Sequence, residues 1–177
     1  MPLISIIGVS GSGKSTILQE LQKRGFEAHG VDEEGLADWI DRLTGAVVPF
    51  PHDDPNQNIH DWYEKHRWVS SIEQTTKLKK LANASGKTIF LAGMAEEEDK
   101  VRHLCDKVIY LAVDADTLRQ RILNRVDNDF GKTPEEMEII IGWLRDNDNK
   151  YRNSGAIVVD ASSSVEEVVE NVIRISI

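Results

Sequence analysis

The chain of 177 residues is long enough for one domain with a substantial core, and 40% hydrophobic against 29% charged residues is an ordinary globular balance. A net charge of −9 disfavours a general grip on nucleic-acid phosphates, which would need a local basic patch, yet no basic run exceeds a pair such as Lys79-Lys80. The single cysteine, Cys105, excludes an internal disulfide and reads as a small buried hydrophobe ahead of a strand, and no apolar run approaches the roughly 20 residues of a membrane helix. The N-terminus opens on a strand pattern without a charged leader, so a cytoplasmic protein is expected.

Leu3 to Ile7 is a short apolar run closed by Gly8, which suits a buried parallel strand. A helix from Lys14 to Lys23 follows, with Ile17, Leu18 and Leu21 inward and Gly25 near its C-cap. Phe26 to Val31 reads as a second strand ending at Asp32. Leu36, Trp39, Ile40 and Leu43 fall at i, i+3, i+4, i+7, which predicts a helix face. Pro49, Pro51 and Pro55 exclude regular structure across residues 44–58. His60 to Ala84 reads as one long helix ended by Gly86, and Thr88 to Ala92 as a strand closed by Gly93. A short acidic helix, a strand at Val108 to Val113 and a helix at Asp116 to Val126 come next. A polar loop leads to Pro134, which opens another helix with Glu135 and Glu136 in its first turn. Ala156 to Val159 is a last strand and Val165 to Ile175 a last helix. Alternating strands and helices in one domain predict an α/β fold, a parallel sheet covered on both faces. Ligands of such sheets gather at the carboxyl ends of the strands, where the loop from Gly8, Asp32, Gly93 and Asp160 all fall.

Gly8-Val-Ser-Gly-Ser-Gly13-Lys14-Ser15 matches G-x-x-x-x-G-K-[ST] in full, between an apolar strand and an amphipathic helix. Gly8, Ser10, Gly11, Ser12 and Gly13 let the backbone turn N–H groups toward phosphate oxygens. Lys14 supplies a charge for the β/γ-phosphates, Ser15 a hydroxyl for Mg²⁺, and the first turn of the helix, through Thr16, its positive end. Nucleotide binding, with ATP and Mg²⁺ as cofactors, is the expectation.

The chain resembles the small P-loop kinases, the group of shikimate, gluconate and nucleoside monophosphate kinases. The likeness spans nearly the whole length and rests on "GVSGSGKST", on Asp32 after the second strand, on "TLRQRILNRVDNDFGKTPEE" as a lid, and on "RDNDNKYRNSGAIVVDASSSVEEVV" as a closing segment. It implies a three-layer P-loop fold with a five-stranded parallel sheet of order 2-3-1-4-5 and a small lid. It further implies a single domain over 1–177, with an acceptor region at about 32–84 and a lid at about 119–135. Where shikimate kinases pair two aspartates, this chain has Asp32 and Glu34. No acidic residue directly follows the third strand, which disfavours a motor ATPase, and no Asn-Lys-x-Asp motif supports a GTPase.

Phosphoryl transfer needs positioning and charge neutralisation. Asp32 is expected to orient the acceptor hydroxyl, contact the Mg²⁺ shell, or both, its competing role being a helix N-cap, with Glu34 in reserve. Arg121 and Arg125 share a face at i, i+4 and are the lid arginines expected at the transferring phosphate, ahead of Arg119 and Lys132. Arg145 resembles an arginine that these kinases turn toward substrate. The acceptor pocket is expected between Asp32 and the long helix, with Trp39, Trp62, Trp68, His52, His60, His66 and Arg67 about it. Trp62, His66 and Val69 would share one helical face, and Arg67 would pair an acidic group. The spacing of His60 and His66 does not suit a metal. Asp160 and the serines after it would lie beside the adenine. The function expected is a kinase for a nucleoside, nucleotide, sugar acid or shikimate-like acceptor, with no membrane partner. A nucleotide-binding switch with little transfer activity and a nucleic-acid end kinase are the alternatives.

Overall fold

β1 (Leu3–Ile7) is buried at all five positions. A strand apolar on both faces must be covered on both. Ile4 and Ile6 enter one core with Ile17, Leu18 and Leu21 of α1 (Lys14–Lys23) and Val168, Val169 and Val172 of α7 (Val165–Ser176). Leu3 and Ile7 face the opposite layer, where Ala82 of α3 (Ile72–Ser85) and Tyr151 of α6 (Pro134–Arg152) pack. The computed structural model describes residues 2–51, 58–96, 99–126 and 129–177, without the side chains of 59, 60 and 99, so His52 and the His60 side chain lie outside the described residues.

β6 (Ile89–Ala92) and β7 (Lys107–Ala112) flank β1 in parallel register. β2 (Glu27–Gly30) pairs with β6, and β8 (Ile157–Asp160) with β7. The order β2-β6-β1-β7-β8 is 2-3-1-4-5 when the parallel strands alone are counted, as the resemblance implied. With helices on both faces this is the expected three-layer α/β architecture. Cys105 is partly buried between two cores just before β7, as its surroundings in sequence suggested.

The insert between β2 and α3 departs from the sequence reading. Residues 36–43 are not helical; β3 (Ala37–Asp41) forms an antiparallel sheet of order β4-β3-β5 with β4 (Val47–Val48) and β5 (His66–Ser70). The Asp41 side chain accepts from the N–H groups of Leu43 (3.0 Å) and Thr44 (2.7 Å) and from the Thr44 hydroxyl (2.8 Å). That local turn competes with helix continuation, and Gly45 completes it at φ 73°. Leu43, which a helix face would bury, is 94% exposed. The single long helix from 60 to 84 is likewise three elements: α2 (Ile59–Lys65), β5 and α3. Ser71 starts α3 afresh by accepting from Gln74 N–H at 3.3 Å, and His-Arg-Trp-Val before it pairs across to β3. Trp62, His66 and Val69 therefore do not share a helix face.

Candidate functional site

The phosphate loop leaves β1 and enters α1 through Gly11 (φ 84°) and Gly13 (φ 102°). Both lie in the left-handed region that side chains resist. A Cβ on Gly11 would stand 2.8 Å from Ile122 of α5 (Ala115–Asn124), so the loop rests directly on that helix. Gly13 caps α1 without a side-chain bond, leaving the first N–H groups of the helix open to an anion. Ser12 Oγ is buried inside the loop with no partner among the described residues.

Lys14 Nζ donates to the carbonyls of Gly8 (2.6 Å) and Val9 (3.1 Å) across the loop mouth. Burial holds its pKa down to about 8 from 10.5, against the pull of Asp32 and Glu33 and with the push of Arg125. Asp32 sits just past β2, and its pKa is raised, first by desolvation and also by Glu33, although Lys14 and a hydrogen bond from Trp68 act the other way. That bond runs from Trp68 Nε1 to Asp32 Oδ1 at 3.0 Å. Asp32 is thus tied to β5 and is not a helix cap. Close approach of the two strand ends explains Gly93, where a Cβ would come within 2.3 Å of the Val31 Cβ.

Two arginines of α5 and its end reach back to the loop. Arg121 donates to the Ser12 carbonyl (3.3 Å) and to the Ala161 carbonyl (2.6 Å), joining the phosphate loop to the turn after β8. Arg125 donates to Ser10 Oγ (3.2 Å) and to the Phe130 carbonyl. Arg119 instead pairs with Asp116 at 3.2 Å and Lys132 with Asp129 at 2.7 Å.

Lys14, Asp32, Arg121 and Arg125 face one cleft of ≈ 1960 Å³, whose lining includes neither Arg119 nor Lys132. Opposite the phosphate loop its wall is aromatic. Trp39 of β3 is the hub, with ring centroids 5.5 Å from Phe50, 5.6 Å from Tyr63 and 5.3 Å from Trp68. Tyr63 continues the chain of rings to Phe130 and to Trp143 of α6, each at 6.0 Å. Burial in this wall, with Glu136 nearby, pushes the Tyr63 hydroxyl up to about 12. All four tryptophans belong to this cluster, with Trp62 buried behind it.

Of the residues singled out in sequence, Gly8 and Ser10 to Thr16 of the phosphate loop, Asp32, Trp39, Trp68, Arg121 and Arg125 line the cleft together. Others do not. Glu34 turns away to His29 Nδ1 (2.8 Å) and the Gly30 N–H (3.1 Å). His66 stacks on Trp62 at 3.6 Å and its ring nitrogen meets the Trp62 carbonyl at 2.9 Å, so the pair buttresses the wall from outside. Arg67 lies opposite Ile40 in the small sheet, off the cleft lining. Arg145 is exposed on α6, and Asp146, Asn147 and Lys150 border the cleft in its place. Asp160 shapes the turn after β8 by accepting from Ser162 N–H at 2.9 Å, while Ala161 and Ser163 line the cleft.

Sequence reasoning missed Glu33, Arg42 and Tyr63. Glu33 Oε1 accepts from the Ser15 hydroxyl at 3.1 Å. Arg42 lines the cleft, held by Glu96 (2.5 Å) and the His66 carbonyl (3.2 Å). Its signal lay in strand pairing, which only the fold reveals. Ser15, Asp32 and Glu33 offer hard oxygen donors, the chemistry Mg²⁺ prefers. No cluster of three or more His, Cys, Asp or Glu suited to a metal occurs among the described residues. No helix among the described residues is long and apolar enough to cross a membrane.

Solved structures share this fold. A sugar kinase from Janibacter sp. HTCC2649 superposes with a TM-score of 0.57 at 18% identity, over 98% of this chain and 93% of its own. Shikimate kinase from Acinetobacter baumannii, in complex with shikimate, gives 0.57 at 19%, over 99% and 92%. Deoxyadenosine kinase from M. mycoides, with products dCMP and dCDP, gives 0.53 at 19%, over 97% of both chains. At these identities the likeness is one of fold, that of the small P-loop kinases. No curated protein matches the sequence. The model of the AAA domain family matches residues 4–142, well over half the chain, and the protein belongs to that family.

Proposed function

We propose that the protein is a phosphotransferase that moves a phosphoryl group from ATP, with Mg²⁺, to a small-molecule acceptor. One observation carries this reading. A single cleft of ≈ 1960 Å³ has the phosphate loop on one wall, a ring-lined recess on the other, and Asp32 between them. Pockets of about 300–1,000 Å³ hold one drug-sized ligand, so this cleft has room for a donor and an acceptor together. A nucleotide hydrolase needs room beside the nucleotide only for a water molecule.

In this reading the open N–H groups of α1 receive the phosphate chain. Lys14 exchanges the Gly8 and Val9 carbonyls for β/γ oxygens. Ser15 and Asp32 hold Mg²⁺, which when bound screens the charge of those phosphates. Arg125, within reach of Ser10, and Arg121 neutralise charge as it spreads over the transferring group. Asp32, fixed by Trp68, orients the acceptor hydroxyl. The base lies between Gln120 and Asn124 of α5 and the turn at Ala161 and Ser163. Residues 119–135 act as the lid and 32–84 as the acceptor region. There Trp39, Phe50 and Tyr63 contact the acceptor and Arg42 takes the role expected of Arg67. Trp62 and His66 support the wall from behind.

The test is ADP release with a panel of nucleosides, nucleotides, sugar acids and shikimate. At least one acceptor should stimulate release over a Lys14→Ala control. ATP binding with no stimulation by any acceptor would favour a nucleotide-binding switch instead.

A further inference from the structure

The structure assigns Glu33 a positioning role: it accepts the Ser15 hydroxyl proton and so turns the lone pairs of that hydroxyl toward the cation site. This rests on the reading above, in which Ser15 offers its oxygen to Mg²⁺.

A serine hydroxyl has one proton and two lone pairs, and it rotates to suit its best acceptor. Without a fixed acceptor its proton is free to swing toward the phosphates, where it would donate instead of ligating. Glu33 Oε1 stands 3.1 Å from Ser15 Oγ and is a charged acceptor, the stronger kind. Once the hydroxyl donates its hydrogen bond to Glu33, the lone pairs of Oγ face away from Glu33. Groups beyond the ligands commonly hold ligands in this manner, and their loss weakens metal affinity about 10–100-fold.

The fold also holds Glu33 itself. Its carboxylate lies against Gly30, where an added Cβ would meet Oε2 at 2.0 Å and Cδ at 2.8 Å. Gly30 is buried at the end of β2, so the space for the carboxylate exists only because this residue has no side chain. Glu33 also stands within electrostatic reach of Lys14 and Asp32. Glu34, its neighbour, is engaged elsewhere by His29 and the Gly30 N–H.

The experiment is calorimetric ATP affinity of the full chain, once with saturating Mg²⁺ and once with EDTA. The ratio of the two is the Mg²⁺ gain. Glu33→Ala should lose about tenfold of that gain. Glu33→Gln should keep most of it, because the amide oxygen still accepts the hydroxyl proton. Gly30→Ala, which displaces the carboxylate without altering it, should follow Glu33→Ala. In a Ser15→Ala background Glu33→Ala should remove nothing further. Affinity in EDTA should stay at the wild-type level or improve, which also verifies that each variant is folded. An unchanged gain in Glu33→Ala would overturn the proposal, as would a further loss in the Ser15→Ala background. A wild-type affinity indifferent to Mg²⁺ would overturn the reading of Ser15 and this proposal with it.

Discussion

The cleft has two walls built by different physics. The phosphate-loop wall grows from the parallel sheet, where β1 and β6 are buried at every position and the loop follows directly from the strand. Its shape is set by backbone: two left-handed glycines, an uncapped helix end and carbonyls that hold Lys14. The ring-lined wall grows from a three-stranded antiparallel insert whose strands are only partly buried. Its shape is set by side chains, a run of rings from Trp68 through Trp39 and Tyr63 to Trp143. A wall of backbone suits a ligand part common to all nucleotides. A wall of side chains is open to specialisation without disturbing the sheet.

If the two walls differ in this way, damage beneath the sheet should reach both. Phe90 is fully buried on β6 and meets Phe26 edge-on at 5.6 Å. Phe90→Ala should lower the unfolding free energy by about 3–5 kcal/mol, and denaturation followed by far-UV signal and by tryptophan emission should shift together. A shift in one signal alone would mean that the walls fold separately.

Damage to the insert should stay local. Trp39→Ala removes the hub of the rings and should weaken the structure by about 2–3 kcal/mol. The near-UV tryptophan signal should collapse while ATP affinity changes less than about twofold, since the loop's own hydrogen bonds do not involve Trp39. A large loss of ATP affinity would show the walls to be coupled.

Damage to the loop should do the reverse. Lys14→Ala should weaken ATP binding by about 2 kcal/mol, the size of a charge-assisted hydrogen bond, which is roughly 30-fold in titration calorimetry. Stability should not fall, because burial already disfavours this charge.

The smallest effect concerns protons. Between pH 8 and 10.5 the unfolded chain holds the Lys14 proton while the folded chain releases it. The contribution of Lys14 to stability therefore rises as pH climbs through that window, the sign expected of a lowered lysine pKa. Bound phosphate restores the charge, so at pH 8 ATP binding should take up about half a proton. Calorimetry in buffers of different ionisation enthalpy reads this directly.

The sequence by itself determined the parallel sheet and the phosphate loop. Each is a local pattern: an apolar run, glycines at fixed spacing. Arg121 and Arg125 are singled out through the resemblance to a lid, and Arg125 reaches the loop from the extended residue that ends α5. The sequence did not determine the insert. Leu36, Trp39, Ile40 and Leu43 carry a helical period, and only the Asp41 turn and the pairing of Trp39 with Trp68 make a strand of them. Periodicity cannot distinguish a helix face from a strand that buries one side against distant rings. The choice among acids after β2 was also tertiary. Asp32, Glu33 and Glu34 are adjacent in sequence, yet Trp68 takes the first, Ser15 the second and His29 the third. Their assignment follows from which partner each carboxylate meets across the fold, and a residue's own neighbours in the chain do not encode that.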